Sequence, residues 1–82
     1  MSLPRDLAAA KLVYPPVWVI YDRPSDFPEE FVVRIHYGLF PDPQCWRAPT
    51  LIEAREIAVE QGASFRLDRF DGDMPAIVEC WL

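Results

Sequence analysis

The stretch V-W-V-I-Y-D-R-P-S-D-F-P-E-E-F-V-V-R-I-H-Y-G, Val17–Gly38, decides the fold of this chain. Val17–Tyr21 and Phe31–Tyr37 are dense in β-branched and aromatic residues, the types that suit a pleated, half-buried surface. In the second run Phe31, Val33, Ile35 and Tyr37 alternate with Val32, Arg34 and His36, the period of a strand with one dry side. Two such strands in succession predict a hairpin. Their connection, Asp22–Glu30, holds Pro24 and Pro28. Each proline pushes the residue before it towards extended geometry and denies a ladder one donor, so a long, stiff loop is expected rather than a tight turn.

Downstream, Gly38–Pro49 reads as irregular because Pro41, Pro43 and Pro49 interrupt it. Thr50-Leu51-Ile52-Glu53 then has the form of a capping box, with the Thr50 hydroxyl accepting from the Glu53 N–H and the Glu53 carboxylate reaching back. A helix should run from Thr50 to Gln61 and stop at Gly62 as its C′ residue. Its dry face is Leu51, Ala54, Ile57 and Ala58, flanked by Ile52 and Val59, with Glu53, Glu56 and Glu60 opposite. Arg55 falls inside the apolar stripe, so its stem should lie along the sheet while its head leaves the core or meets a carboxylate. Ser64–Phe70 and Ala76–Leu82 are expected as two more strands around the turn Asp71-Gly72-Asp73-Met74-Pro75. Upstream, Met1–Pro16 is expected to fray, with at most a turn of helix over Pro4–Leu12 before Pro15-Pro16. The expectation is one α+β domain over residues 17–82 behind an N-terminal arm. It has two layers, a four-stranded, mostly antiparallel sheet covered on one face by a single helix, in the order ββαββ.

A chain of 82 residues makes one domain with a thin core, so every large apolar side chain has a structural use. The formal charge of −5, from 13 acids against 8 bases, opposes contact with a polyphosphate or an anionic membrane. Neither nucleic acid nor membrane is an expected partner. Two cysteines, Cys45 and Cys80, lack the density of a secreted disulfide scaffold and are read as reduced thiols in a cytoplasm. The apolar run Leu7–Ala10 is too short for a signal-peptide core.

Few groups are available for chemistry. His36 is the only histidine, far in sequence from Cys45 and Cys80, so no zinc site and no cofactor is expected. Asp68, Asp71 and Asp73 with Gly72 lack the order of a calcium loop. No glycine-rich phosphate loop or nucleophile elbow is present, and enzymatic activity is not the expectation.

One constellation stands out. If Val33, Ile35 and Tyr37 face the helix, Arg34 and His36 point away from it, and alternation should bring Arg66 and Asp68, Glu79 and Trp81, and Trp18 onto the same face. Aromatic and arginine anchors among charged groups have the composition of a recognition surface. A one-residue error in the first or last strand would instead turn Trp18 or Trp81 into the core.

The run Tyr21-Asp22-Arg23-Pro24, with Asp26-Phe27-Pro28 and Phe31-Val32-Val33-Arg34, resembles a group of short bacterial and phage-associated proteins of unknown function. The likeness extends weakly to Leu67-Asp68-Arg69-Phe70. It implies no activity or ligand, but it marks Asp22, Arg23, Pro24, Asp26 and Pro28 as the distinctive loop residues. Asp22 and Asp26 are suited to accept from loop N–H groups, with Arg23 or Arg34 available to pair with either acid. The functional expectation is a non-catalytic interaction module that binds a protein partner, or itself as a homodimer, through the sheet face, the Asp22–Glu30 loop, or both. The alternative is a small hydrolase or ligand-binding protein with His36, Asp22 and Asp26 at a site completed by oligomerisation.

Overall fold

The computed structural model describes residues 3–68 and 76–82. The elements in chain order are α1 (Leu7–Val13), β1 (Val17–Asp22), β2 (Phe31–Tyr37), β3 (Phe40–Ala48), α2 (Leu51–Glu60), β4 (Arg66–Asp68) and β5 (Ile77–Trp81). The strands form one antiparallel sheet in the order β3-β2-β1-β5-β4. The class is therefore α+β as expected, but with five strands and two helices among the described residues in place of four and one. The turn expected at Asp71–Pro75 lies outside the described residues.

The extra strand is β3, in the segment whose prolines argued against regular structure. Two circumstances accommodate them. β3 is an edge strand, where a missing N–H removes no ladder bond from a central position. The pairing also skips: Arg34 opposes Cys45 and His36 opposes Pro41, so Asp42, Pro43 and Gln44 bulge out against Ile35 alone. Gln44 N–H donates to the Asp42 carboxylate at 2.9 Å, closing the excursion that holds Pro43. β2 and β3 are joined by Gly38-Leu39, with Tyr37 opposite Phe40. Gly38 supplies the positive φ, 62°, that a two-residue hairpin turn needs at its first central position.

The N-terminal arm carries α1, capped by Asp6, whose carboxylate accepts from Ala9 N–H at 2.9 Å. So short a helix persists through its packing. Ala10 is fully buried, Lys11 pairs with Asp42 at 3.1 Å, and the Tyr14 ring lies against Gly38 so closely that a Cβ there would stand 2.8 Å from it.

α2 begins after Thr50, whose Oγ1 accepts from Glu53 N–H at 3.2 Å, one of the two bonds expected of the capping box. It ends in a Schellman motif: Gly62 N–H bonds to Val59 C=O and Ala63 N–H to Ala58 C=O, with Gly62 at φ 118°. Ala54 and Ala58 are fully buried against the sheet, with Leu51 and Ile57 packed beside them, while the flanking Ile52 and Val59 are exposed.

The pairings sort the sheet into cross-strand rows, because directly opposed residues share a face. One row runs Trp46–Val33–Ile20–Glu79–Asp68, the next Ile35–Trp18–Trp81–Arg66. Val33, Ile20 and Trp18 belong to the core under α2. The opposite, open face carries the rows Cys45–Arg34–Val19–Cys80–Leu67 and Arg47–Val32–Tyr21–Ile77. Cys45 and Cys80 are thus three strand spacings apart, about 14 Å, beyond the roughly 7 Å Cα separation a disulfide spans.

Candidate functional site

The face expected to combine Trp18, Arg34, His36, Arg66, Asp68, Glu79 and Trp81 is two faces. Alternation in β2 holds, and Arg34 and His36 point away from α2. Trp18, Glu79 and Trp81, with Arg66 and Asp68 in register beside them, belong to the α2 side. The cause is phase. Val17–Tyr21 is apolar at every position, so its pattern gives no preferred side, and Trp18 turns inward to 7% exposure. In β5 Glu79 faces the helix because Arg55 stands opposite it.

That pair explains how a carboxylate comes to be 3% exposed. Arg55 donates from Nε and Nη2 to both Glu79 oxygens at 2.8–3.2 Å, and Trp81 Nε1 donates at 2.6 Å. Burial raises the Glu79 carboxyl, but the bonds from Arg55 and Trp81, with the charges of Arg55 and Arg66, outweigh it and hold the group below the usual carboxylate range. Arg55, placed by the sequence inside an apolar stripe, is the signal that a carboxylate faces α2.

The open face holds the other cluster. Arg23 takes φ 46°, in the left-handed region, and the chain then folds back over the sheet. Two short turns shape the loop, with Phe27 N–H bonded to Pro24 C=O and Glu30 N–H to Phe27 C=O. Side chains tie it down. The Arg47 guanidinium lies 5.1 Å from the Phe27 ring centre and 3.6 Å from Glu30, and Arg34 Nη2 donates to Asp26 at 3.3 Å. Asp22 is engaged by Arg23 Nε at 2.7 Å. The two aspartates thus bind guanidinium groups, and the loop N–H bonds run to carbonyls.

Between loop and sheet is an open hollow of about 550 Å³. Tyr21, Val32 and Arg34 form its floor, Pro24, Ser25 and Asp26 its roof, and Ala76 one wall. Tyr21 hydroxyl meets His36 Nε2 at 3.0 Å. Since Tyr21 stands opposite Val32 and His36 opposite Val17, two rows separate them. The phenol must therefore lean along the sheet across the Arg34–Val19 row.

Burial, then the Arg34 charge, holds the His36 imidazole below its ordinary 6.5. Burial also pushes the Tyr21 phenol up, partly countered by Arg34. Both are neutral at pH 7, and a His36 carrying its hydrogen on Nδ1 accepts from the phenol. Arg34 is the one cation lining the hollow among the described residues. Its Nε is buried and has no hydrogen-bond partner among them.

Of the residues singled out by sequence, the structure brings Arg34, Pro24 and Asp26 to the hollow, with His36 behind Tyr21. Asp22 shares the α2-side phase of Trp18 and Ile20, so the trio His36, Asp22 and Asp26 does not converge. Sequence reasoning missed Tyr21, Ser25, Val32 and Ala76. Tyr21 was within reach, because fixing the phase of β1 puts it beside Arg34. No group of three or more His, Cys, Asp or Glu side chains gathers at metal-binding range among the described residues. No helix among them is long and apolar enough to cross a membrane. The chain matches no protein-family model, and no curated protein or solved structure matches it.

Proposed function

We propose that this domain is a non-catalytic binding module for a small molecule, held in the hollow between the Pro24–Asp26 segment and the open face of the sheet. The observation that carries this reading is Arg34, which lines that hollow and whose buried Nε–H has no hydrogen-bond partner among the described residues. Buried polar groups are as a rule hydrogen-bonded, and a donor without a protein partner beside a hollow is available to water or to a ligand acceptor; Trp18 Nε1, the other such donor among the described residues, lies in the core under α2. The volume lies within the roughly 300–1,000 Å³ of small-molecule sites, and its lining of apolar surface with a few convergent polar groups is what such sites use. The Tyr21 hydroxyl in the floor is occupied by His36 behind it, which leaves the pair as structure rather than an acid and a base.

The test is a two-dimensional NMR fragment screen on the isotopically labelled full chain. Binders should move the Val32 and Ala76 methyls and the Tyr21 ring, and Ala76→Trp should abolish the shifts at Val32 and Tyr21. Fragments that perturb only other surfaces, or none that bind, would refute the assignment.

A second reading, association with a protein or with a second copy, draws support from Leu12 and Leu39, 89% and 94% exposed, and from Val13 beside them. Tyr14 on Gly38 brings these side chains to one end of the domain. Light scattering on the wild type and on Leu12→Ser/Leu39→Ser tests it: a dimer that the double substitution dissociates supports association there. A wild-type monomer refutes self-association, and an unchanged dimer places its contact elsewhere.

A further inference from the structure

We infer that the ligand of this hollow is a monocarboxylate with an apolar body, and that Asp26 is a resident acid which the ligand carboxylate displaces from Arg34. This rests on the hollow being a binding site and names what enters it. Nε and Nη2 form one edge of a guanidinium, a planar two-donor fork matched to the two oxygens of a carboxylate. Asp26 fills only half of that fork, at 3.3 Å from Nη2, a long distance for a charge-assisted bond. Its side chain is 54% exposed and sits in a surface loop, so it can swing away without disturbing the sheet. The Nε donor beside it is buried and without a partner among the described residues. Nε is closed to solvent as the side chains stand, so a ligand carboxylate takes both positions only as Asp26 moves off the fork.

The remaining surface specifies the rest of the molecule. Pro24, Ala76 and the face of Tyr21 offer apolar contact above a fully buried Val32, with Ser25 the other polar side chain at the rim. Among the described residues one cation lines the hollow and balances one negative charge, whereas a phosphate dianion beside Asp26 would leave charge unmatched. The chain's overall −5 opposes the approach of any anion, so recognition depends on the contact at Arg34 rather than on long-range steering.

Phenylacetate, its neutral amide phenylacetamide, and phenyl phosphate are suitable probes, titrated against the labelled full chain and followed at the Val32 and Ala76 methyls. Phenylacetate should bind at least about tenfold more tightly than phenylacetamide, as hydrogen bonds to a charged group require. Arg34→Met should remove that preference, and Arg34→Lys, which keeps the charge and most of the volume but loses the fork, should keep only part of it. Asp26→Asn should tighten phenylacetate binding severalfold, because the competing acid is gone. Equal binding of acid and amide would overturn the carboxylate assignment while leaving the hollow as a binding site. Tighter binding of phenyl phosphate would overturn the monocarboxylate class. Weaker binding to Asp26→Asn would overturn the displacement. If none of the three probes moves the two methyls the inference fails, and the fragment screen decides separately whether the hollow binds anything.

Discussion

Arg55→Met isolates the interaction on which the α2 layer most depends. Glu79 is 3% exposed and accepts three contacts from Arg55 and one from Trp81. Removing one partner of a buried pair costs about 3–5 kcal/mol, since the other charge stays buried without compensation. Arg55 itself is 36% exposed, so water reaches the vacated side and recovers part of that loss. An expected cost of about 2–3 kcal/mol follows, a large share of the roughly 4–12 kcal/mol a domain of this size possesses. In melting temperature it corresponds to a fall of about 10–20 °C. Urea unfolding followed by far-ultraviolet circular dichroism measures it directly. Replacing both partners, Arg55→Met with Glu79→Leu, should restore most of the loss, because no charge then remains buried.

The pH profile provides an independent check on the same pair. In the wild type Glu79 is held below its ordinary 4.5, so the unfolded chain takes up the proton first. Its contribution is complete above about pH 4.5 and is lost as the pH falls through the folded-state value. In Arg55→Met burial prevails, and acid should relieve rather than aggravate the destabilisation. A loss below about 0.5 kcal/mol, within the range of ordinary surface substitutions, together with an unchanged acid profile, would refute this account of Glu79.

Gly38→Ala should destabilise by about 1–2 kcal/mol in thermal unfolding, because a side chain is forced to positive φ; Tyr14→Ala in the same chain should relieve the clash but not the backbone cost, and full recovery would contradict that division. His36 should titrate below 6.5 in a proton NMR titration. Because the unfolded chain binds that proton first, stability should fall as the pH drops through about 6.5, and an ordinary or raised value would show that Tyr21 and the sheet do not enclose the ring. Cys45 and Cys80 should remain unlinked after oxidation of the folded chain, and an intramolecular disulfide in mass spectrometry would contradict their separation across the sheet.

Legibility in the sequence followed how many constraints met at each residue. β2 was readable because Arg34 and His36 interrupt an otherwise apolar run at a period of two. α2 was readable because Thr50, Glu53 and Gly62 mark its ends while its apolar stripe marks its face. β3 was hidden because Pro41 and Pro43 count against a strand unless it is known to be an edge with a bulge. That depends on which strands flank β2, a long-range fact. The phases of β1 and β5 were hidden for different reasons: β1 is hydrophobic at every position from Val17 to Tyr21, and β5 carries a glutamate whose burial depends on a partner 24 residues earlier. The candidate site was legible only in outline. Arg34, Asp26 and Pro24 stood out, but the hollow arises from the loop folding back at Arg23, a residue whose positive φ nothing in its side chain announces.

The proposed site turns on an Arg34 Nε–H that is enclosed and without a hydrogen-bond partner among the described residues, and the proton–nitrogen correlation signal of that side-chain group observes it directly. In the free protein the signal should be protected from exchange with water yet lack the downfield shift of a hydrogen-bonded guanidinium, and saturating phenylacetate should move it downfield. A signal that exchanges freely, or one already shifted downfield and unmoved by the acid, would contradict it.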